Sequence, residues 1–278
     1  MMIQLQNISY RYPDGTGALS NITLRVREGE KLVIAGANGA GKSTLFLILN
    51  GILKPMSGHY VFDGKQVKYS RADLLQLRKH VGVVFQEPDS QIFSASVMDE
   101  VSFGPLNLGL PHHQVREQVD IALAALDIAH LKNRPAHLLS YGQKKRVTMA
   151  SVLSMNPRIL IFDEPTSGLD PVHAAEIVAL LHRLHQQGKT IIISTHDMNL
   201  AYQWASRIVV LNQGQVLGDG SPADIFSNPS LVGESGLELP MILQVYKALG
   251  KSHWPAPATI DELVAQMQRH EDVQMLDR

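Results

Sequence analysis

Residues Gly36 to Thr44 read GANGAGKST, and this nonapeptide constrains the chain more than any other stretch. It satisfies G-x-x-x-x-G-K-[ST] where the apolar run KLVIAG meets the helical KSTLFLILNGI. Glycines there let the backbone wrap close to phosphate oxygens, and the helix start aims amides and a partial positive dipole at them. Gly36, Ala37, Asn38, Gly39, Ala40, Gly41, Lys42, Ser43 and Thr44 are therefore the expected nucleotide-binding set. Lys42 would reach the β and γ phosphates of ATP, and Ser43 would bind magnesium. The bland alternative is a glycine-rich turn that only caps a helix; residue frequencies produce the pattern in about one chain in a hundred.

A second element is ILIFDE, residues 159–164. Four apolar residues make a buried strand whose carboxyl end delivers Asp163 and Glu164, and ligands of α/β sheets gather at carboxyl ends. Asp163 is expected in the magnesium shell, and Glu164 is expected to polarise the attacking water. Two further apolar strands, HVGVVFQ and TIIISTH, end in Gln86 and His196. Alone, each is an ordinary loop residue; four strands converging on phosphate-compatible groups place both at the same rim.

The bulk numbers exclude more than they name. With 25 basic and 26 acidic residues the 278-residue chain has no global field for nucleic acid or an anionic membrane, so an anion must be held locally. The absence of cysteine removes disulfides and thiolate chemistry. No run of eighteen apolar residues and no leader pattern appear, so a soluble, unexported chain is expected.

Along the chain, IQLQNISYRY, ALSNITLRV and a hairpin on Asp63-Gly64 read as strands and turns. From roughly Ser96 to Met155 the text turns helical, as in VREQVDIALAALDIAHL, which suggests an inserted helical subdomain. RILIFDE, PVHAAEIVALLHRLHQQG and TIIISTHD then restore the strand–helix–strand alternation of a parallel sheet. Beyond Ser221, SNPS and HWPAPAT read as loops around two helix candidates. The second starts at capping-box spacing, Thr259 to Glu262, and puts Ile260, Leu263, Val264 and Met267 on one face.

GANGAGKST, VFQ, LSYGQ, ILIFDEPTSGLD and STHD stand in the order and approximate spacing of an ABC-type ATPase, a resemblance covering roughly residues 2 to 220. It implies an α/β P-loop fold: a parallel-sheet core, an antiparallel β subdomain, an inserted helical subdomain at about 88–156 and a C-terminal helical tail at 223–278 after an ATPase unit at 1–222. In such proteins two nucleotide-binding domains meet head to tail, and an LSGGQ-type segment closes over the γ phosphate of the opposite chain. By that resemblance Ser140, Gly142 and Gln143 are the segment, Tyr12 stacks on adenine, Gln86 joins Ser43 and Asp163 around magnesium, and Asp170 communicates across the dimer. Ser140 and Gln143 also fit a plain capping box, and both states can exist. Tyr141 departs from the usual glycine.

FQEPDSQIFSASVMDEVSFGPLNLGL resembles energy-coupling-factor and related cobalt or nickel importers, as does LSYGQKKRV, and GLELPMILQVYKALG is more specifically similar to the cobalt and nickel members, with vitamin importers a near alternative. The resemblance implies ATP and magnesium, a second ATPase copy (a homodimer), membrane subunits docking near Gln86 and the helical subdomain, no nucleic acid, and a peripheral place on the cytoplasmic face of the membrane. Gln86 would be the hinge between nucleotide state and docking. The twelve histidines, including His112-His113 and His182/His185, read as surface residues. Soluble ABC ATPases of translation or DNA repair usually carry two cassettes or long coiled coils, and neither is visible here. A non-hydrolysing switch fits poorly with an intact Glu164 and His196.

Overall fold

The computed structural model describes residues 2–250 and 256–276; the start of the loop expected at HWPAPAT lies outside the described residues. Two sheets stack around the first helix. One is antiparallel, in the order β2-β1-β4-β5: β1 (Ile3–Arg11), β2 (Gly17–Val26), β4 (Ser57–Phe62) and β5 (Lys65–Gln66). The other has the order β10-β9-β3-β8-β7-β6: β3 (Lys31–Ala35), β6 (Val81–Val84), β7 (Ile159–Phe162), β8 (Thr190–Ser194), β9 (Arg207–Asn212) and β10 (Gln215–Gly220). Five of its strands run parallel and β10 is antiparallel to β9. The expected hairpin joins β4 to β5, with Asp63 and Gly64 both at positive φ, as a tight two-residue turn requires.

The central strands are apolar on both faces because both are covered. Successive residues of β7 feed opposite cores: Leu160 and Phe162 join one, Ile159 and Ile161 the other. Burying such a side chain stabilises the fold by roughly 1.5–3 kcal/mol. Helix α1 (Lys42–Leu49) fills the space between the sheets, and α2 (Arg71–His80) follows the hairpin. Only Leu77 of α2 is buried, so its periodicity is too faint to read, and His80, expected on a strand, ends that helix.

The inserted segment is helical: α3 (Val97–Asn107), α4 (His112–Ala125) and α5 (Tyr141–Leu153) pack on one another. Helices α6 (Pro171–Gln186) and α7 (Met198–Trp204) complete the parallel-sheet crossovers. Among the described residues the tail holds four helices where two were expected: α8 (Pro222–Phe226), α9 (Pro229–Ser235), α10 (Met241–Ala248) and α11 (Ile260–Leu276). SNPS is not a loop: Asn228 caps α9 and Pro229 occupies its first position. Such short helices leave caps but little periodicity.

Ile225, Phe226, Ile242, Leu243, Tyr246 and Leu263 join the core on one face of the large sheet. The expected face of α11 needs correction, since Leu263 and Met267 pack while Ile260 and Val264 are exposed. Its start does use Thr259, whose hydroxyl accepts the Glu262 N–H, but the Glu262 carboxylate accepts from Ala258 and not from Thr259. Among the described residues no helix is long and apolar enough to cross a membrane.

Candidate functional site

The loop 36–44 leaves β3 at the carboxyl edge of the large sheet and turns directly into α1. Gly36 has no alternative there: its φ is 143°, and a Cβ would stand 2.2 Å from the Leu211 carbonyl oxygen of neighbouring β9. Lys42 folds back into the loop, its ammonium donating to the carbonyls of Gly36 at 2.7 Å and Ala37 at 3.0 Å. Burial lowers its pKa, and the Glu164 and Asp163 carboxylates oppose that shift.

Behind the loop a relay of hydroxyls and carboxylates ties three strand ends together. The Ser43 hydroxyl donates to one Asp163 oxygen at 2.6 Å, and the Ser194 hydroxyl donates to the other at 2.5 Å. Ser194 also accepts the Glu164 N–H at 2.9 Å. Glu164 has a left-handed backbone, φ 48°, a strain of about 1 kcal/mol for a residue with a Cβ. Its carboxylate meets His196 Nδ1 at 2.9 Å; the Glu164 side chain is 8% exposed and that of His196 75%. A buried acid thus faces an open imidazole.

Tyr12, Asn38, Gly39, Gly41, Lys42, Ser43, Thr44, Gln86, Asp163 and Glu164 line one cleft. The Tyr12 hydroxyl bonds the Thr44 hydroxyl at 2.9 Å, and its ring stands edge-on to Tyr10 with centroids 5.2 Å apart. Gln86 lies two residues beyond β6 with its side chain exposed at the cleft. Paired oxygens on Ser43 and Asp163 suit a hard divalent cation, and Lys42 with the loop amides suits polyphosphate, so the residues fit magnesium and ATP. Thr16, Gly17 and Ala18 line the same cleft, and Ser194 stands behind it. Sequence reasoning missed all four: Thr16 and the small residues that open β2 carry no signal, and Ser194 read as one more residue of an apolar strand.

Ser140, Gly142 and Gln143 do not line this cleft. They sit at the head of α5, Ser140 exposed and Gly142 and Gln143 half-buried, closed on themselves: the Ser140 N–H reaches the Gln143 side-chain oxygen at 3.0 Å, and the Gln143 N–H reaches the Ser140 hydroxyl at 3.3 Å. Asp170 caps α6, and the backbone and side-chain bonds from His173, with a smaller part from the Val172 N–H, hold its carboxyl below the usual range. Among the described residues no three His, Asp or Glu side chains gather as a metal cluster.

A family model described as ABC transporter matches residues 19–167. The energy-coupling factor transporter ATP-binding protein EcfA of Methanothermobacter thermautotrophicus is 48% identical over 239 residues, 86% of this chain and 77% of that one. EcfA2 of Clostridium perfringens is 46% identical over 242 residues, covering 87% and 85%. Among solved structures, cbiO1 of Clostridium perfringens, described as part of the ABC transporter complex cbiONQ, superposes with TM-score 0.74 at 45% identity, covering 88% of this chain and 98% of that one. The ATP-binding cassette MJ0796, solved as a post-hydrolysis dimer bound to ADP and Pi, gives TM-score 0.73 at 29% identity, covering 80% and 99%.

Proposed function

Because the chain belongs to the ABC transporter family of ATP-binding proteins, hydrolysing ATP with magnesium to energise transport, we propose that it is the ATPase subunit of an importer for cobalt or nickel ions. The observation that carries the reading of how it works is the split site: a connected phosphate pocket on one edge, and Ser140–Gln143 outside it on the surface. Two copies arranged head to tail would bring the second element over the first. We assign residues 1–222 to the ATPase unit, with the helical insert at about 88–156, and 223–278 to the tail.

In this assignment Lys42 and the amides of residues 36–44 bind the phosphates, and Tyr12 stacks on adenine, a flat face against a flat face. Ser43, Asp163 and Gln86 would hold magnesium, which neutralises phosphate charge when bound. Glu164, aimed by Ser194 and His196, orients water for in-line attack. Ser140, Gly142 and Gln143 complete the γ-phosphate contact of the partner copy, and Asp170 lies at the junction between copies.

Docking of membrane subunits is placed on the groove beside Gln86 and the helical insert. There Phe93 and Phe103 meet edge-on at 4.6 Å, 64% and 48% exposed, above a wall that includes Gly82 and Val83. Exposed paired aromatics over a packed wall suit an apolar partner segment. The place of work is then the cytoplasmic face of the membrane, held peripherally. The ion specificity rests on the resemblance of the tail segment 236–250 to the cobalt and nickel members.

The test is transport in vesicles containing this chain and the membrane proteins that purify with it. ATP-dependent uptake of cobalt or nickel, lost with Lys42→Ala, is expected. ATP-dependent vitamin uptake with no ion uptake would move the chain to the vitamin importers.

A further inference from the structure

Lys145 is 1% exposed, yet among the described residues no carboxylate lies within ion-pair distance of its ammonium. It donates instead to two backbone carbonyls, Glu164 at 2.9 Å and Ser167 at 2.7 Å. Burying a cation whose only hydrogen bonds go to neutral carbonyls is unfavourable even with carboxylates in its surroundings, and a methionine would fill the same volume without that penalty. Packing therefore does not explain the lysine; what it holds does.

The two carbonyls belong to the ends of one turn, closed by the Ser167 N–H on the Glu164 oxygen at 3.2 Å. Glu164 opens that turn in the left-handed region, where its backbone persists only if the surroundings over-determine it. Ser194 fixes its N–H, and Lys145 with Ser167 fixes its carbonyl. The direction of the Glu164 side chain follows from those bonds. Lys145 stands on α5 five residues after the cap Ser140, so the bonds run from that helix to the turn.

Tyr141 makes a second contact of the same kind. Its ring lies 5.8 Å from the Lys145 ammonium, and it packs so closely on Gly168 that a Cβ there would come within 2.7 Å of the ring. The departure from the usual glycine at 141 thus covers the buried cation and seats the head of α5 against residues 164–168.

We propose that Lys145 is a positioning residue for ATP hydrolysis, holding both ends of the Glu164–Ser167 turn so that the aim of the Glu164 carboxylate follows the helix that begins at Ser140. This rests on the reading of Glu164 as the residue that orients water. Displacements of about 1 Å at such a group reduce rates by up to about a hundredfold.

The experiment is a double-mutant cycle on the full chain, with kcat and KM for ATP from phosphate release and nucleotide affinity from fluorescence titration. Lys145→Met removes all donors and should lower kcat about tenfold or more with KM within about twofold, while Lys145→Gln, which keeps a donor, recovers much of the loss. In the Glu164→Gln background, measured over single turnovers, Lys145→Met should add less than about twofold, because the group it aims is already disabled.

A parental kcat for Lys145→Met, or an undiminished loss in the Glu164→Gln background, overturns the proposal. If Lys145→Met does not fold, Lys145→Gln carries the test: its kcat should still fall about twofold or more below the parent, and that deficit should vanish beside Glu164→Gln, a parental kcat or a persisting deficit overturning the proposal. An effect that vanishes beside Glu164→Gln supports the proposal; one that persists there, or is absent in both backgrounds, overturns it. Near-parental turnover in Glu164→Gln itself removes the reading of Glu164, whereas slow Glu164→Gln beside fast Lys145→Met removes only the role of Lys145.

Discussion

The phosphate loop and the head of α5 are built from the same parts, glycine, hydroxyl and helix N-terminus, yet they are finished differently. At residues 36–44 the polar groups face a common cleft and are tied to strand ends by Ser43, Asp163, Ser194 and Lys42. At residues 140–143 the cap is closed by its own Gln143, and the segment stands away from that cleft with Ser140 exposed. An N-terminus that satisfies itself can exchange its cap for a ligand, whereas a loop braced from several strands is already organised to bind. Under the proposed function the first region is a site in one chain, and the second becomes one only against another copy.

The largest effect that probes this contrast comes from the braced side. Glu164→Gln should slow turnover about a hundredfold or more, the usual contribution of a positioned base, while ATP affinity stays near the parental value. Phosphate release and nucleotide titration check both halves, and near-normal turnover would break the assignment of the relay. The same variant, by holding ATP, sharpens the next comparison. In that background Ser140→Ala should weaken ATP-driven dimerisation by about tenfold, the worth of one hydrogen bond to a charged group, with single-copy affinity nearly intact. Sedimentation measures it. Unchanged dimerisation would leave Ser140 a helix cap and nothing more, visible only as a loss of about 1 kcal/mol in helix stability.

How much of this could be read from the amino-acid order follows the same division. The phosphate loop, the acids after β7 and the turn at Asp63-Gly64 were legible because each depends on neighbours in sequence: a strand period, a glycine, a residue at a strand end. Ser194 and Lys145 were not, because their importance lies in contacts with Asp163, Glu164 and Ser167, far from each in sequence. In LSYGQKKRV the three basic residues look like one solvated cluster. On the helix they separate, Lys144 going to Asp89, Arg146 to Glu176 and Lys145 inward. Helices α8 and α9 escaped notice for the opposite reason, being too short to show a period although well capped.

The smallest effect belongs to the joint between the two regions. Burial pushes the Lys145 ammonium down to about 8, against the opposing pull of the Glu87, Glu164 and Asp163 carboxylates, while an unfolded chain holds its lysines near about 10.4. Between those values the unfolded state binds more protons, so this residue's contribution to stability grows as pH rises above about 8 and is lost as pH falls back through it. One proton's difference sets a ceiling of about 1.4 kcal/mol per pH unit. Urea unfolding of the parent and Lys145→Gln at several pH values from 7 to 10 isolates it, because the other titrating groups cancel in the difference. The parent should gain on the variant only above about pH 8; a constant or shrinking difference would mean that the ammonium is not held dry against the Glu164–Ser167 turn, and that the two regions are joined by packing alone.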